Sequence, residues 1–145
     1  MSHVRQQIRD SFYNLCLGLT TTETRAYKSR VFPLADENIP GLIVYTSTEE
    51  ENEEEGKNAG FQFRYLRVIV ECYDKLAAGL DDQLDDMAAE VETAVFADDI
   101  AGIRTIDLES TDTEIQEGAE QPVGKIILSF LVSYLTREGS PETAI

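Results

Sequence analysis

The chain has 145 residues, of which 42% are hydrophobic, and its 12 Lys and Arg against 28 Asp and Glu give a net charge of −16. This length predicts one globular domain that buries about two-thirds of the surface of its unfolded chain, and the charge disfavours tight binding to nucleic acid or anionic membranes. Because no apolar run approaches the roughly 18 to 20 residues of a membrane span and the N-terminus lacks the apolar core of a signal peptide, we expect a soluble, non-secreted protein.

The first predicted element is an amphipathic helix. Its apolar residues recur at three- and four-residue spacing on one face, and they are Val4, Ile8, Phe12, Leu15 and Leu19. Ser2 is the expected N-cap, and Gly18 is expected to weaken the end of the helix.

A proline-containing loop over residues 20–41, with at most a short strand, follows this helix. It holds Arg25, Lys28 and Arg30, three of the chain's twelve cations within six residues. In so acidic a protein this loop is the most basic stretch, and we refer to it as the basic loop.

A buried strand with the sequence GLIVYTS is predicted next, and a run of glutamates follows it. Six of seven consecutive residues are acidic, namely Glu49, Glu50, Glu51, Glu53, Glu54 and Glu55. Like charges at this density repel one another, so the run is interpreted as a mobile hairpin loop. Isolated carboxylates are costly to bury, and we therefore expect the loop to face water or a cationic partner.

The strand that follows, FQFRYLRVIVECYD, is substantially apolar on both faces. One face carries Leu66, Val68, Val70 and Cys72. The second face carries Phe61, Phe63, Tyr65, Arg67, Ile69, Glu71 and Tyr73. Such a strand is expected to be covered on both sides, by its own chain or by another subunit. At about 3.3 Å per residue it would span about 40 Å, which predicts a bulge or a projecting hairpin arm.

A second helix and two further strands complete the predicted elements. The helix begins among aspartates and carries an apolar stripe of Leu80, Leu84, Met87, Val91 and Val95. A polar strand over about residues 103–115 and a turn lead to the strand KIILSFLVSYL. One face of this last strand carries Ile126, Leu128, Phe130, Val132 and Tyr134, and the other carries Ile127 and Leu131. Its apolar character on both faces predicts a central position in the sheet.

These elements predict a single α+β domain over residues 1–138 and a C-terminal tail over residues 139–145. The order helix, loop, strand, strand, helix, strand, strand predicts a four- to five-stranded mixed or antiparallel sheet. We expect the two helices to pack on one face of this sheet and the acidic hairpin loop to project from it.

The sequence offers little for a reaction centre. Cys16 and Cys72 lack the paired spacing of a zinc or redox site and are expected to be buried thiols. His3 is the only histidine and lies near a chain end that we expect to fray, which excludes a catalytic triad with an internal histidine.

Four aspartates in the segment DDQLDD form the strongest enzyme-like pattern, and they are Asp81, Asp82, Asp85 and Asp86. They lie one helical turn apart and could bind Mg²⁺ or Ca²⁺, in a spacing similar to the aspartate-rich motif of prenyl-transferring enzymes. Those enzymes are large and all-helical, so a solvated helix start is the better interpretation. We predict no catalytic residue, no cofactor and no metal site.

The order of elements resembles the tail terminator family of long-tailed bacteriophages, the minor tail protein U-like proteins. Three segments carry the resemblance: YKSRVFPLADENIPGLIVYTSTEE, FQFRYLRVIVECYD and KIILSFLVSYLTRE. The shared features are an N-terminal helix, a loop ending in RVFP, a proline-initiated strand, an acidic hairpin loop, a long strand, an acid-started helix and a final aromatic strand. Together they cover nearly the whole chain.

The resemblance implies a protein without catalytic residues that forms a hexameric ring on the end of the finished tail tube. Such a ring stops tube polymerisation and presents a surface to the head connector. The implied partners are further copies of the chain, the tail tube protein and a head–tail connector or neck protein, with no membrane partner. Genomic DNA would pass through the central channel without specific binding. The implied location is the virion, and the host cytoplasm during assembly.

Two features are candidates for contacts between subunits. They are the basic loop, with Arg25, Lys28 and Arg30, and the second face of the long strand, with Phe61, Phe63, Tyr65 and Arg67. We expect the cations to meet acids of a neighbouring subunit, such as Asp81, Asp82 or the glutamate run. The glutamate run is expected in the lumen or on an end face of the ring, and a solvated position on the outer rim is the alternative.

Other functions stay open at this point. A related neck or tail-completion protein could share the same order of features. A metal-dependent enzyme that uses the cluster Asp81–Asp86 is a less favoured alternative. A binding module with a small-ligand pocket would need convergent polar groups in an apolar cleft, and the sequence shows none.

Overall fold

The computed structural model describes residues 2–28, 38–52, 60–76, 78–116 and 122–145, and the structural statements below concern these residues. They form two helices and a six-stranded sheet. The helices are α1 (Val4–Cys16) and α2 (Leu80–Ala97). The strands are β1 (Ala26–Tyr27), β2 (Gly41–Asn52), β3 (Phe61–Lys75), β4 (Thr105–Gln116), β5 (Val123–Arg137) and β6 (Ser140–Ala144).

The sheet has the strand order β1-β2-β3-β5-β4, and β6 pairs with the end of β5. β1 is parallel to β2, whereas the other neighbouring strands are antiparallel. The α+β class, the mixed sheet and the central position of β5 are thus confirmed. The sheet has six strands where four to five were predicted, because β1 is only two residues long and β6 is polar.

Strand β6 occupies residues for which the sequence predicts a tail. Gly139 has a φ of +78°, which glycine adopts readily, and it turns the chain back onto β5. The N–H of Ile145 then donates to the carbonyl of Leu135 at 2.9 Å. The segment SPETA lacks alternating apolar residues, and for this reason its hydropathy gives no strand signal.

Both helices pack on the same face of the sheet and form one core with it. The predicted stripe of α2 is buried throughout, and α1 contributes Val4, Ile8, Phe12 and Cys16. From the sheet come the predicted inward residues of β3 and β5, among them Phe130, whose ring centroid lies 5.6 Å from that of Phe12. The prediction of two helices on one face is confirmed.

The start of α1 differs from the prediction. His3, not Ser2, is the N-cap, and its Nδ1 accepts a hydrogen bond from the N–H of Arg5 at 3.1 Å. An imidazole nitrogen can accept this bond in place of the usual hydroxyl, because it also offers a lone pair. Gly18, with a φ of +86°, follows the helix end as expected, and Leu19 lies beyond the helix, where it forms an isolated antiparallel β-bridge with Glu23.

The long strand β3 pairs with β5 in one continuous register from Phe61 to Lys75. The predicted bulge lies not in β3 but in β2, the other strand that pairs with β3. The register of this pairing shifts between Thr46 and Glu49. A bulge at that position adds twist to β2 without breaking β3. Residues 53–59, which hold the predicted hairpin loop with Glu53, Glu54 and Glu55, lie outside the described residues.

Candidate assembly surfaces

The second face of β3 divides into a buried half and a partly exposed half. Ile69, Glu71 and Tyr73 are buried, whereas the four predicted contact residues are partly exposed. These four are Phe61, Phe63, Tyr65 and Arg67. The chain therefore buries this face itself from Ile69 onward and leaves the aromatic half accessible, and this half is the part that a partner could cover.

Cations and aromatic rings alternate on that accessible half. The guanidinium of Arg137 lies 5.1 Å from the ring centroid of Phe61, and that of Arg104 lies 5.6 Å from the ring of Phe63. Positive charge above an aromatic ring is attracted by the ring quadrupole. The surface is thus amphipathic, and it could pack on apolar groups while its cations meet carboxylates.

Arg67 ties three strands together on the same face. Its Nε and NH2 atoms donate to Glu109 of β4 at 3.0 to 3.2 Å, and its NH1 donates to the hydroxyl of Thr48 in β2 at 3.1 Å. The hydrogen bonds and the negative charge of Glu109 raise the pKa of Arg67. Arg67 therefore already has partners in its own chain.

The three cations of the basic loop have different surroundings. Arg25 is held inside its own chain, because its Nε donates to the carbonyl of Pro40 at 2.5 Å and its NH2 to that of Thr21 at 3.2 Å. Lys28 is more accessible and pairs with Asp10 at 2.9 Å. Arg30 lies outside the described residues.

The glutamate run is not one loop, because its first three residues belong to β2. Glu50 and Glu51 are exposed, but the side chain of Glu49 is only 11% exposed. Its Oε2 lies 2.6 Å from NH1 of Arg5 and 3.3 Å from NH1 of Arg64. The interpretation of the whole run as a loop is wrong for Glu49, which lies in β2, and the cationic partners that compensate its charge are two arginines of its own chain.

Glu49 is the centre of a polar cluster that joins α1 to the sheet. The hydroxyl of Tyr134 in β5 donates to Glu49, and Arg64 of β3 approaches Nε2 of His3 at 3.3 Å. Burial and then the charges of Arg5 and Arg64 lower the pKa of His3. This cluster was not predicted from the sequence. The signal that could have indicated it is Arg64, a single arginine among the otherwise apolar inward residues of β3.

A second buried carboxylate lies on the opposite face of the sheet. Glu71 is 2% exposed, and its Oε1 lies 3.3 Å from both Nζ of Lys125 and the hydroxyl of Tyr73. Burial by itself would lower the pKa of Lys125, but the nearby carboxylates of Glu71 and Glu114 outweigh burial and raise that pKa. This pairing stabilises the face from within the chain.

The outer strand β4 presents an acidic edge. Every residue from Glu109 to Gln116 is exposed, and no described strand pairs with its outer side. An open groove of about 330 Å³ lies where β4 ends, beside the start of α2. We call it the β4 groove, and it is lined by Leu76, Ala78, Gly79, Leu80, Asp81, Asp82, Ile115 and Pro122.

The residues proposed for metal chemistry show no ligand geometry. Within the described ranges, no group of three or more His, Cys, Asp or Glu side chains could hold a metal ion. Cys16 and Cys72 are free and buried, as predicted, and burial raises the pKa of Cys16 to about 12. Neither described helix is long and apolar enough to cross a membrane.

Comparisons with known proteins find similarity to solved structures. No protein-family model matches the sequence, and no curated protein matches it significantly. The chain is similar to a chain in the solved structure "Virion of native gene transfer agent (GTA) particle", with 17% sequence identity and a TM-score of 0.49. The match covers 90% of this chain and 92% of that chain. At this identity and TM-score, the similarity assigns neither a family nor a role to the protein.

Proposed function

We propose that the protein is a structural component of a phage-like virion and acts as a tail terminator. Six copies form a closed ring on the end of the tail tube, end tube polymerisation and offer a surface to the head connector or neck protein. The proposal follows the resemblance in the order of elements, and the fold retains that order from α1 to β5.

The observation that carries the proposal is the contrast in charge between two segments of the chain, one that supplies the outer strand β1 and one that supplies the outer strand β4. Residues 2–28, which supply α1 and β1, hold four cations against two acids, a net charge of +2. Residues 78–116, which supply α2 and β4, hold twelve acids against one arginine, a net charge of −11. A subunit with two different, complementary sides makes head-to-tail contacts, and such contacts close into rings when the rotation allows it.

The accessible half of the second face of β3 supplies further contacts in this proposal. Phe61, Phe63 and Tyr65 offer apolar area, and Arg104 and Arg137 offer charge at the same place. Among the cations of the basic loop, Lys28 is the better candidate for a contact, because Arg25 is hydrogen-bonded within its own chain.

The strong negative charge suits a channel for DNA. A net charge of −16 repels the phosphate backbone, so a genome can slide past the wall without specific binding. We propose that Glu53, Glu54 and Glu55 lie in the lumen or on the tube-facing end of the ring, together with the exposed Glu50 and Glu51.

The proposal is tested by native mass spectrometry of the purified protein and by electron microscopy of tubes polymerised from the cognate tail tube protein. The expected results are a discrete six-membered ring and tubes that stop growing with a ring at one end. Monomers both in solution and on tubes, together with unchanged tube growth, would refute it.

The role of the glutamates is tested separately with Glu50, Glu51, Glu53, Glu54 and Glu55 changed to Gln. Glu49 stays unchanged, because its loss would disturb the buried cluster and confound the result. We expect altered tail length or altered DNA release from assembled virions. If only solubility falls, the glutamates lie on the outer rim and the lumen position is wrong.

A further inference from the structure

We infer that the β4 groove is the receptor for the cationic side of α1 and β1 of a neighbouring copy of this chain. The inference rests on the proposed ring and names the surfaces that meet in it. Arg9 and Lys28 are the cations that enter or flank the groove, and Asp81 and Asp82 are the acids that receive them.

The groove has the composition of a protein-binding surface. Its surface is about equally polar and apolar: Leu76, Leu80, Ile115 and Pro122 contribute apolar side chains, and two exposed aspartates stand at its rim. Ile115 is 39% exposed, one of the few large apolar side chains that the described chain leaves accessible. A partner that covers Ile115 removes apolar area from water, and a cationic partner also compensates the aspartates.

The opposite edge of the sheet carries the matching charge. Arg9 donates to the hydroxyl of Thr46 at 3.1 Å, and within the described ranges it forms no ion pair with a carboxylate. The side chain of Lys28 is 43% exposed, and its pairing with Asp10 is a surface ion pair of the kind that exchanges readily. Both cations can therefore turn to a new carboxylate at small cost.

The strand register sets Lys28 and Ile115 about four residues apart along the strand direction, roughly 13 Å. A row of paired residues runs across the sheet from Tyr27 through Ile43, Glu71 and Ile127 to Asp112. Lys28 adjoins this row at the β1 edge, and Ile115 lies three residues from its end at the β4 edge. Neighbouring subunits can meet edge to edge in a ring when their strands are inclined to the ring axis, which brings the β4 groove of one copy level with Lys28 of the next.

The open outer side of β4 supports the same contact. Acidic side chains on an edge strand discourage pairing with another acidic strand, and β2 carries exposed glutamates on its own edge. Two copies are thus kept from joining β4 to β4, or β4 to the end of β2. The cationic side of α1 and β1 is the surface of a second copy to which the acidic side chains of β4 bind most favourably.

The test uses two reversed variants that are complementary to each other. In the groove variant, Asp81 and Asp82 are changed to Lys, and in the cation variant Arg9 and Lys28 are changed to Glu. We expect each variant alone to associate at least about tenfold more weakly than the parent protein. An equimolar mixture is expected to recover rings in which the two variants alternate, because every contact then joins opposite charges.

The matched control changes Asp85 and Asp86 to Lys, one helical turn further along α2 and outside the groove. It alters the net charge equally, and we expect its association to change by less than about threefold. Melting temperatures establish that each variant is folded. If the groove variant or the cation variant does not fold, the milder change Asp81→Asn or Lys28→Gln is used in its place.

The outcomes separate the inference from the proposed function. A parent protein that forms rings while the groove variant does so equally well would overturn the inference and leave the tail terminator proposal intact. Failure of the mixed variants to recover rings would also overturn it. A parent protein that forms no ring, in solution or on tubes, would overturn both.

Discussion

The two edges of the sheet use carboxylates in opposite ways. At the β2 edge, Glu49 is nearly buried and neutralised by Arg5 and Arg64, so that it fastens α1 to the sheet. At the β4 edge, the strand is exposed from Glu109 to Gln116, and its Glu109 and Glu114 stay in contact with water while they pair with Arg67 and Lys125. An acidic stretch of sequence therefore does not fix the role of each of its carboxylates, since that role depends on the cations that the fold brings near.

The largest effect should come from breaking the buried side of this comparison. Changing Glu49 to Gln removes the anion between two guanidinium groups, and we expect a loss of about 3 kcal/mol in the free energy of unfolding, as for a buried pair that loses one partner. Urea denaturation measures it. The exposed neighbour change Glu50→Gln is the control and should stay within about 0.5 kcal/mol. Equal effects would mean that Glu49 is as solvated as Glu50.

A smaller effect should come from the packing beneath the β4 groove. A Cβ on Gly124 would lie 3.0 Å from side-chain carbons of both Leu80 and Leu84. We expect Gly124→Ala to cost about 1 kcal/mol, because the ends of the two leucines must shift to make room. Thermal unfolding against the exposed change Ser110→Ala measures this cost. A stabilised Gly124→Ala protein would show that α2 does not sit directly on β5.

The acids at the start of α2 should contribute less than either. Asp81 and Asp82 lie in the first turn, where the positive end of the helix favours them, and Asp81→Asn should cost about 0.3 to 1 kcal/mol. Asp85 and Asp86 lie beyond that turn, so their change to Asn should cost less. Adding Mg²⁺ or a chelator is expected to leave the melting temperature unchanged. A rise with Mg²⁺ that these changes abolish would favour the metal-dependent alternative.

The smallest effect should be a pH dependence at the start of α1. His3 has a pKa lowered from 6.5, chiefly by burial and then by Arg5 and Arg64, which outweigh the opposing charges of Glu49 and Glu142. The unfolded chain therefore takes up this proton first, and the free energy of unfolding falls as the pH drops below about 6.5. Comparison with His3→Asn isolates the effect. Identical pH profiles would show that His3 makes no contribution.

The core of the fold could be predicted from the sequence because its signals are local. The apolar stripe of α2 and the alternating residues of β5 are periodic, and both are buried as expected. The loop over residues 20–41 was predicted to hold at most a short strand, and β1 is that strand, but two residues are too few to locate it from a periodic pattern. β6 escaped prediction because its five residues, SPETA, show no alternation of apolar and polar side chains. The partners of Glu49 escaped because Arg5 and Arg64 are 44 and 15 residues away in the chain, and only the folded sheet brings them together.

For the candidate assembly surfaces, the sequence predicted which types of residue take part but not how they are arranged. The basic loop and the aspartates of α2 were visible as charges, and the aromatic second face of β3 as a pattern. Which part of that face stays accessible, and that Asp81 and Asp82 adjoin a groove with Ile115, depends on contacts between distant segments. Hydropathy carries no information on such contacts.

A cryo-electron microscopy structure of the oligomer on the end of a tail tube would test the proposed ring most directly. We expect six subunits arranged head to tail, with the β4 groove of each against α1 and β1 of the next, and Ile115 and Asp81 covered. A ring joined through other surfaces, with the β4 edge facing solvent, would show that the subunits do not meet through the β4 groove. Absence of any ring on the tube would contradict the function itself.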